Sequence, residues 1–402
     1  MKADLIRQQV KKTDSKIVFL IMDGLGDIPA QGKDTPLAEA ETPNMDKLAE
    51  RGCLGLCDPI APGLTPGSGP AHLSLFGYDP VKNNVGRGLL SAFGLDFDLD
   101  PMDLAMRGNF CTIDEDGNVT DRRAGRIPDE TNREACQKIL DNIKLPDGVE
   151  LFLRTESQHR VLVVMRAHGL SDQVEETDPQ ATGVPPNEPR AHNADAEKTE
   201  RLLSDMLQQI KEILKDNHPA NMVLLRGYSK PLSLPTFNER YKLDAVAIAE
   251  YPMYRGLARL VGMNVLPPYK DFNDCLSWLK KAWDDNDFFF VHVKKTDSYG
   301  EDGNFENKKK IIEEVDKTIV PGVTALNPDV LVISCDHSTP WSMASHSWHP
   351  VPVLMVAESI RTDRCTKFTE LDCQSGSMGR NLSTSLMPLA LAHAGKLEKF
   401  GA

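Results

Sequence analysis

Short runs of uninterrupted apolar residues punctuate this chain, and several stop abruptly at an acidic residue. They occupy residues 16–22 (KIVFLIM), 222–225, Ala245–Ala249, Phe288–Val293, Val330–Ser334 and 351–356. Runs that are apolar throughout, with no alternation, predict strands buried on both faces. Between them apolar positions recur every three or four residues, which predicts helices at 196–214 and 308–319. A shorter helix is expected after Thr42-Pro43-Asn44, with Thr42 as N-cap, Pro43 in the first turn, Met45, Leu48 and Ala49 as its apolar stripe, and Gly52 ending it. Buried strands alternating with helices predict an α/β fold: a largely parallel sheet flanked by helices.

One stretch departs from that rhythm. From about residue 109 to 165 the pattern is a strand, a DEDG turn, a strand at 118–122, a helix at 132–143, and two β-rich runs, VELFLR and HRVLVVM. Closely spaced strands with one helix predict a smaller inserted α+β domain. Its expected span is 109–180, interrupting a core made of 1–108 and 181–402. The polar, Pro-rich segment 175–193 is expected to be a linker returning to the core. No internal repeat of solenoid period is present.

The 402 residues exceed what one small core organises. A formal charge of -13 argues against nucleic acid or an anionic membrane as partner, so an anionic ligand would need a local basic pocket. The opening residues are polar, and no apolar run approaches a membrane span. The eight cysteines, at Cys53, Cys57, Cys111, Cys136, Cys275, Cys335, Cys365 and Cys373, form no CxxC pair. Buried reduced thiols in a cytoplasmic protein are the expectation.

Three predicted core strands end in carboxylates: Asp23, Asp297 and Asp336. In a parallel sheet such ends share one edge, where ligands of open α/β sheets bind. A lone Asp after a strand is equally well a turn residue. Here each has further potential ligands nearby: His337 and His346 follow Asp336, and Glu301 stands four residues after Asp297. Carboxylates and imidazoles in these numbers suit two divalent cations of the manganese, magnesium or zinc kind. A fourth element, TPGSGPAH, sets Ser68 between small residues just ahead of an apolar helical run at 72–76. Ser68 is then either a helix cap or a hydroxyl at an anion-favouring helix N-terminus. A bound metal could activate that hydroxyl as a nucleophile without a general base.

The order of IMDG, PGSGPAHLSLFGYDP, HVKKTD with its following GEDGN, and SCDHSTP followed by HSWHPVPVL resembles the archaeal-type cofactor-independent phosphoglycerate mutases of the alkaline phosphatase superfamily. GRG at 86–88, DRRAGRI at 121–127 and YRGLARLVGM at 254–263 extend the resemblance over nearly the whole chain. It implies an alkaline-phosphatase-like core and interconversion of 3-phosphoglycerate and 2-phosphoglycerate in glycolysis and gluconeogenesis. Ser68 would carry the phosphoryl group, and no bisphosphoglycerate would be needed. One metal would be held by Asp23, Ser68, Asp336 and His337. The other would be held by Asp297, a histidine four residues later, and His346. This chain has Glu301 at that middle position. An oxygen donor there implies manganese or magnesium over zinc or cobalt, or else a weak second metal and low activity. Trp348-His349 is a second departure, with His349 as either a replacement imidazole or a packing residue.

A mutase must keep its dephosphorylated intermediate bound and exclude water, and an inserted domain closing over the site is one means. Arginine forks suit the substrate's carboxylate and phosphate. The candidates are Arg87, Arg122, Arg123 and Arg126, with His159 and Arg160 on the insert. Arg226, Arg255, Arg259 and Lys294 are the candidates on the core, and DRRAGRI is the densest cluster. Each is otherwise a solvated surface charge. The expected partner is a small anionic phosphorylated substrate, and homo-oligomerisation is left open. The competing functions are a metal-dependent phosphatase or phosphotransferase of the homoserine-kinase-like kind, and a metal-poor binding protein.

Overall fold

The computed structural model describes residues 2–83 and 85–401, with side chains from residue 5. The chain divides into two compact units, one formed by residues 1–84 with 234–402 and the other by 85–233.

The larger unit is built on an eight-stranded sheet. Ile17–Met22 lies at its centre, parallel to Phe288–Val293 on one side and to Val330–Ser334 on the other. Parallel pairing continues outward to Ala245–Ala249 and Asn264–Val265. The three central strands are wholly buried, as their unbroken apolar character requires. Each Phe, Ile or Leu so buried contributes about 1.5–3 kcal/mol relative to an exposed one. The sheet is largely parallel, as expected; Val351–Ala357 is its exception, running antiparallel to both Val330–Ser334 and Cys53–Asp58. Residues 335–350 connect it to the preceding strand without a helix. A parallel return needs a crossover connection, usually helical, so the chain turns back at the same edge. Gly379–Leu382 closes that side, parallel to Cys53–Asp58.

Helices Pro43–Ala49 and Phe305–Thr324 form as predicted, but Thr42 does not cap the first. The Asp316 carboxylate, on the second helix, takes over by accepting the Asn44 and Met45 N–H groups at 3.2 and 2.7 Å. A charged acceptor from a packed neighbour satisfies donors that the local hydroxyl leaves unused.

The smaller unit is an antiparallel five-stranded sheet of Asp103–Ile113, Val119–Asp121, Glu150–Ser157, Arg160–Arg166 and Met222–Ser229. It is wider than the 109–180 expected. Asp103, at the start of the long strand, is buried and paired in two bonds with Arg166 at 2.6 and 2.9 Å. The run at 222–225, expected in the core sheet, pairs instead with Asp103–Ile113. Helix Glu197–Leu214 buries Leu203, Met206 and Ile210 in this unit's own core. Residues 175–193 are not a linker between units: Thr177 N–H donates to Leu225 O at 2.9 Å, and Val174 bridges Ala191. A short apolar run carries no mark of which of two sheets it joins, so these assignments depended on packing.

All eight cysteines are buried and unpaired. Among the described residues no helix is long and apolar enough to cross a membrane.

Candidate active site

Because Ile17–Met22, Phe288–Val293 and Val330–Ser334 run parallel side by side, the residues just past their C-terminal ends converge. Asp23 is completely buried, with carboxylate oxygens 3.2 Å from Lys294 Nζ, 3.4 Å from His337 Nε2 and 3.5 Å from His292 Nε2. Asp297 sits on the short helix Lys295–Glu301, where it receives a bond from Thr339 Oγ1 at 2.6 Å and another from Lys294. Asp336 Oδ1 accepts the Gly24 N–H at 3.2 Å, and its Oδ2 lies 3.1 Å from His337 Nε2. Gly24 has φ +61°, and a Cβ there would fall 2.5 Å from Thr339 Oγ1 and 2.7 Å from Asp297 Oδ1. Only glycine lets the Asp23 turn approach so closely.

Ser68 begins helix Ser68–Leu75, and Gly67 occupies the N-cap position. The capping alternative for Ser68 therefore lapses. Its Oγ faces His337 Nε2 at 3.2 Å.

Two donor groups result: Asp23, Asp336 and His337; and Asp297, His337 and His346. In each, the potential ligand atoms lie within 4.8 Å of one another. Both Asp23 oxygens and Asp336 Oδ2 are buried and face Lys294 and the histidines without forming a well-aligned hydrogen bond, an arrangement that a cation would relieve. The protonation states also fit. Burial works against ionising Asp23, yet Lys294 and the two histidines hold its carboxyl well below the usual range. Burial drives His337 well below the ordinary imidazole value, which leaves it neutral with a lone pair to donate. Burial, reinforced by Asp23, lifts Asp336 to about 6. These residues fit a pair of divalent cations.

Glu301 falls outside both donor groups. Its Oε1 stands 3.7 Å from His346 Nε2 on a half-exposed side chain, and burial followed by Asp297 raises its carboxyl. His346 stacks on His337 with centroids 3.6 Å apart. His349 joins neither group; it meets Ser347 Oγ at 3.0 Å and stacks on Trp348. Lys294 bridges Asp23 and Asp297, and Arg255 and Arg259 lie on helix Pro252–Leu260.

Sequence reasoning missed two buried histidines. His72 Nδ1 lies 2.9 Å from Ser68 O and 3.3 Å from Asp336 Oδ2. His292 backs Asp23, and the Tyr254 ring packs 4.0 Å from it. The signals were present: His72 is one helical turn past Ser68, and His292 interrupts an otherwise apolar strand.

The smaller unit gathers its own cations. Arg107 and Arg226 face each other across adjacent strands, an arrangement that is destabilising unless negative charge accompanies it. Asp178, fully buried at its side chain, takes Arg122 in two bonds at 2.9 and 2.8 Å and stands 3.5 Å from Arg226. Glu156 lies 3.5 Å from Arg107. Burial lowers Arg107, Glu156 opposes this, and Arg160, Arg87 and Arg226 add to the lowering. His159 is buried and held down to about 4, by burial first and then by Arg160, Arg123, Arg126 and Arg107. Arg123 and Arg126 flank a turn in which Ala124, Gly125 and Arg126 all have positive φ. The Asp121 carboxylate holds this turn through the Arg123 and Gly125 N–H groups, at 2.8 and 2.6 Å. Sequence analysis named most of this cluster but not Arg107.

Residues 49–221 match the family profile described as 2,3-bisphosphoglycerate-independent phosphoglycerate mutase. A Thermus thermophilus protein described as a probable enzyme of that kind is 50% identical over 402 residues, covering 99% of each chain. A Thermotoga maritima protein with the same description is 48% identical over 402 residues, covering 100% of this chain and 99% of its own. Among solved structures, a Pyrococcus horikoshii protein superposes with a TM-score of 0.81 at 30% identity, covering 97% of this chain and 100% of its own. The cofactor-independent phosphoglycerate mutase of Thermoplasma acidophilum gives 0.72 at 28% identity, covering 94% and 100%. With half its residues shared along the full length of such relatives, this chain belongs to the family of 2,3-bisphosphoglycerate-independent phosphoglycerate mutases.

Proposed function

We propose that the protein interconverts 3-phosphoglycerate and 2-phosphoglycerate, a step of glycolysis and gluconeogenesis, by passing the phosphoryl group through Ser68. The observation that carries this is the Ser68 hydroxyl, at a helix start and 3.2 Å from the histidine common to both donor groups. Asp23, Ser68, Asp336 and His337 would hold one divalent cation, manganese or magnesium, and Asp297 and His346 a second, with Glu301 at its rim. Such cations supply Lewis acidity that lowers the serine pKa and neutralises phosphate charge.

The protein's own groups account for the remainder. The first-turn N–H groups of helix Ser68–Leu75 and the ammonium of Lys294 favour an anionic phosphoryl group. Burial opposes the charge of Lys294, yet Asp23 and Asp297 keep it protonated. Attack by Ser68 Oγ forms its bond to phosphorus and breaks the substrate's O–P bond, leaving glycerate with both hydroxyls. Return of the phosphoryl group to the other hydroxyl restores the serine and its proton. No bisphosphoglycerate enters this balance. Within the smaller unit, the arginine cluster presents planar forks of the kind that bind a carboxylate or phosphate. Buried, unpaired cysteines support a reducing, cytoplasmic setting.

The test is conversion of 3-phosphoglycerate coupled to enolase, with manganese and without bisphosphoglycerate. Turnover that vanishes in Ser68→Ala supports the proposal. Ser68-dependent release of inorganic phosphate with no 2-phosphoglycerate would make the protein a phosphatase instead.

A further inference from the structure

Lys308, on helix Phe305–Thr324, is completely buried, and so is its partner, the side chain of Asp27. Removing an ammonium from water is costly unless several acceptors replace the solvent. Lys308 Nζ donates to Asp27 Oδ2 at 2.7 Å, Thr339 O at 2.8 Å and Gly24 O at 2.9 Å, with Gly26 O at 3.4 Å. These acceptors come from two turns that are distant in sequence. One follows strand Ile17–Met22 and carries Asp23; the other follows strand Val330–Ser334 and carries Asp336 and His337.

Two of these acceptors, Gly24 and Thr339, are coupled to donors of the candidate metal site. Gly24, held by its carbonyl, gives its N–H to Asp336 Oδ1. Thr339, held by its carbonyl, gives its hydroxyl to Asp297 Oδ1 at 2.6 Å and lies 3.0 Å from His337 Nδ1. Asp27 Oδ2, which fixes Lys308, also accepts the Trp341 N–H at 3.1 Å and so ties the second turn again. One ammonium thus joins the turns behind both donor groups from the buried side, while Lys294 bridges Asp23 and Asp297 within the site itself.

We propose that Lys308 is a positioning residue that holds the two ligand-bearing turns at cation-binding separation, with Asp27 locking Lys308 in place. The proposal rests on the reading that this site takes divalent cations. Lys308 acts through Gly24 and Thr339, so its loss is felt in metal affinity more than in chemistry at saturating metal. Partners that orient metal ligands are commonly worth about 10–100-fold in affinity.

The experiment measures Mn2+ binding to metal-stripped protein by electron paramagnetic resonance, together with kcat and thermal unfolding. Lys308→Met is expected to weaken Mn2+ binding about 10–100-fold, with most of kcat recovered at saturating Mn2+. Asp27→Asn should weaken it less. Lys396→Met provides the contrast. It removes a second buried lysine–aspartate pair, Lys396 with Asp287 at 3.3 Å, beside the opposite end of strand Phe288–Val293. That variant should lose thermal stability and keep its Mn2+ affinity. A folded Lys308→Met protein with Mn2+ affinity within about twofold of wild type would overturn the proposal. If that variant does not fold, unchanged affinity in Asp27→Asn overturns it. Wild-type protein that binds none of Mn2+, Mg2+ or Zn2+ would remove the underlying reading instead, and this proposal with it.

Discussion

Ser68 Oγ and His337 Nε2 lie 3.2 Å apart although 269 residues separate them in the chain. The parallel sheet makes this meeting possible, because it delivers the turn bearing His337 to the edge where the Ser68 helix begins. Ser68→Ala is therefore expected to reduce mutase turnover by at least about a thousandfold, since no other hydroxyl replaces the nucleophile. The same variant should unfold within about 0.5 kcal/mol of wild type, because Ser68 is only partly buried and fills no core position. Retained turnover would sink the serine-transfer mechanism.

Gly24→Ala tests how closely the metal-bearing turns must approach. The added methyl would meet Thr339 Oγ1 at 2.5 Å and Asp297 Oδ1 at 2.7 Å, on a backbone with φ +61°. The left-handed backbone alone costs about 1–2 kcal/mol, and displacement of Asp297 adds to it. The expected result is a clear fall in unfolding free energy together with loss of Mn2+ binding in calorimetry. Normal Mn2+ affinity would show that the two turns tolerate separation.

Much of this site was legible in sequence because parallel strands impose a simple rule: residues after their C-terminal ends converge. Asp23, Asp297 and Asp336 could be located from apolar runs alone, and Ser68 from its small neighbours. His72 and His292 were harder, since a histidine within an apolar run reads as core until its partner carboxylate is known. Arg107 was hidden for the opposite reason. It is one arginine among many along the chain, and only strand register sets it opposite Arg226. The antiparallel Val351–Ala357 strand and the membership of 222–225 in the second sheet depended on connections and packing that no local pattern records.

Glu301 stands four residues after Asp297, on the same side of a short helix, with its carboxylate 3.7 Å from His346. A small rotation would let it complete the group formed by Asp297 and His346. Glu301→Ala is expected to weaken binding of the second Mn2+ by about tenfold or more, with stability nearly unchanged because the side chain is half exposed. Glu301→His should shift preference from Mn2+ toward Zn2+, since imidazole is the softer donor. Titration of each metal into stripped protein measures both effects. Identical metal preference in all three proteins would exclude Glu301 as a ligand.

Arg107 offers a prediction in which stability and substrate affinity move in opposite directions. Burial disfavours its charge, Glu156 at 3.5 Å opposes this, and Arg160, Arg87 and Arg226 add repulsion that leaves its pKa lowered on balance. Removing it as Arg107→Met relieves that repulsion, so the ligand-free protein should unfold at the same temperature or higher. A hydrogen bond to a charged group contributes about 1.5–3 kcal/mol, so KM for 3-phosphoglycerate should rise about tenfold or more. Lower stability with unchanged KM would make Arg107 a structural residue only.

His159 gives the clearest pH dependence. Burial, with Arg160, Arg123, Arg126 and Arg107 around it, holds its folded pKa at about 4, whereas the unfolded value is near 6.5. Between these values the unfolded chain binds a proton that the folded chain does not. Stability from this residue is thus fully present above about pH 6.5 and is lost as pH falls toward 4. His159→Gln cannot titrate. The difference in unfolding free energy between wild type and this variant should be flat above pH 7 and decline steadily below 6.5, as measured by urea denaturation. Parallel curves would rule the effect out. Inorganic phosphate bound among these arginines would offset their charge and let the imidazole take its proton at higher pH. Adding phosphate should therefore shallow the decline, a response that burial alone would not give.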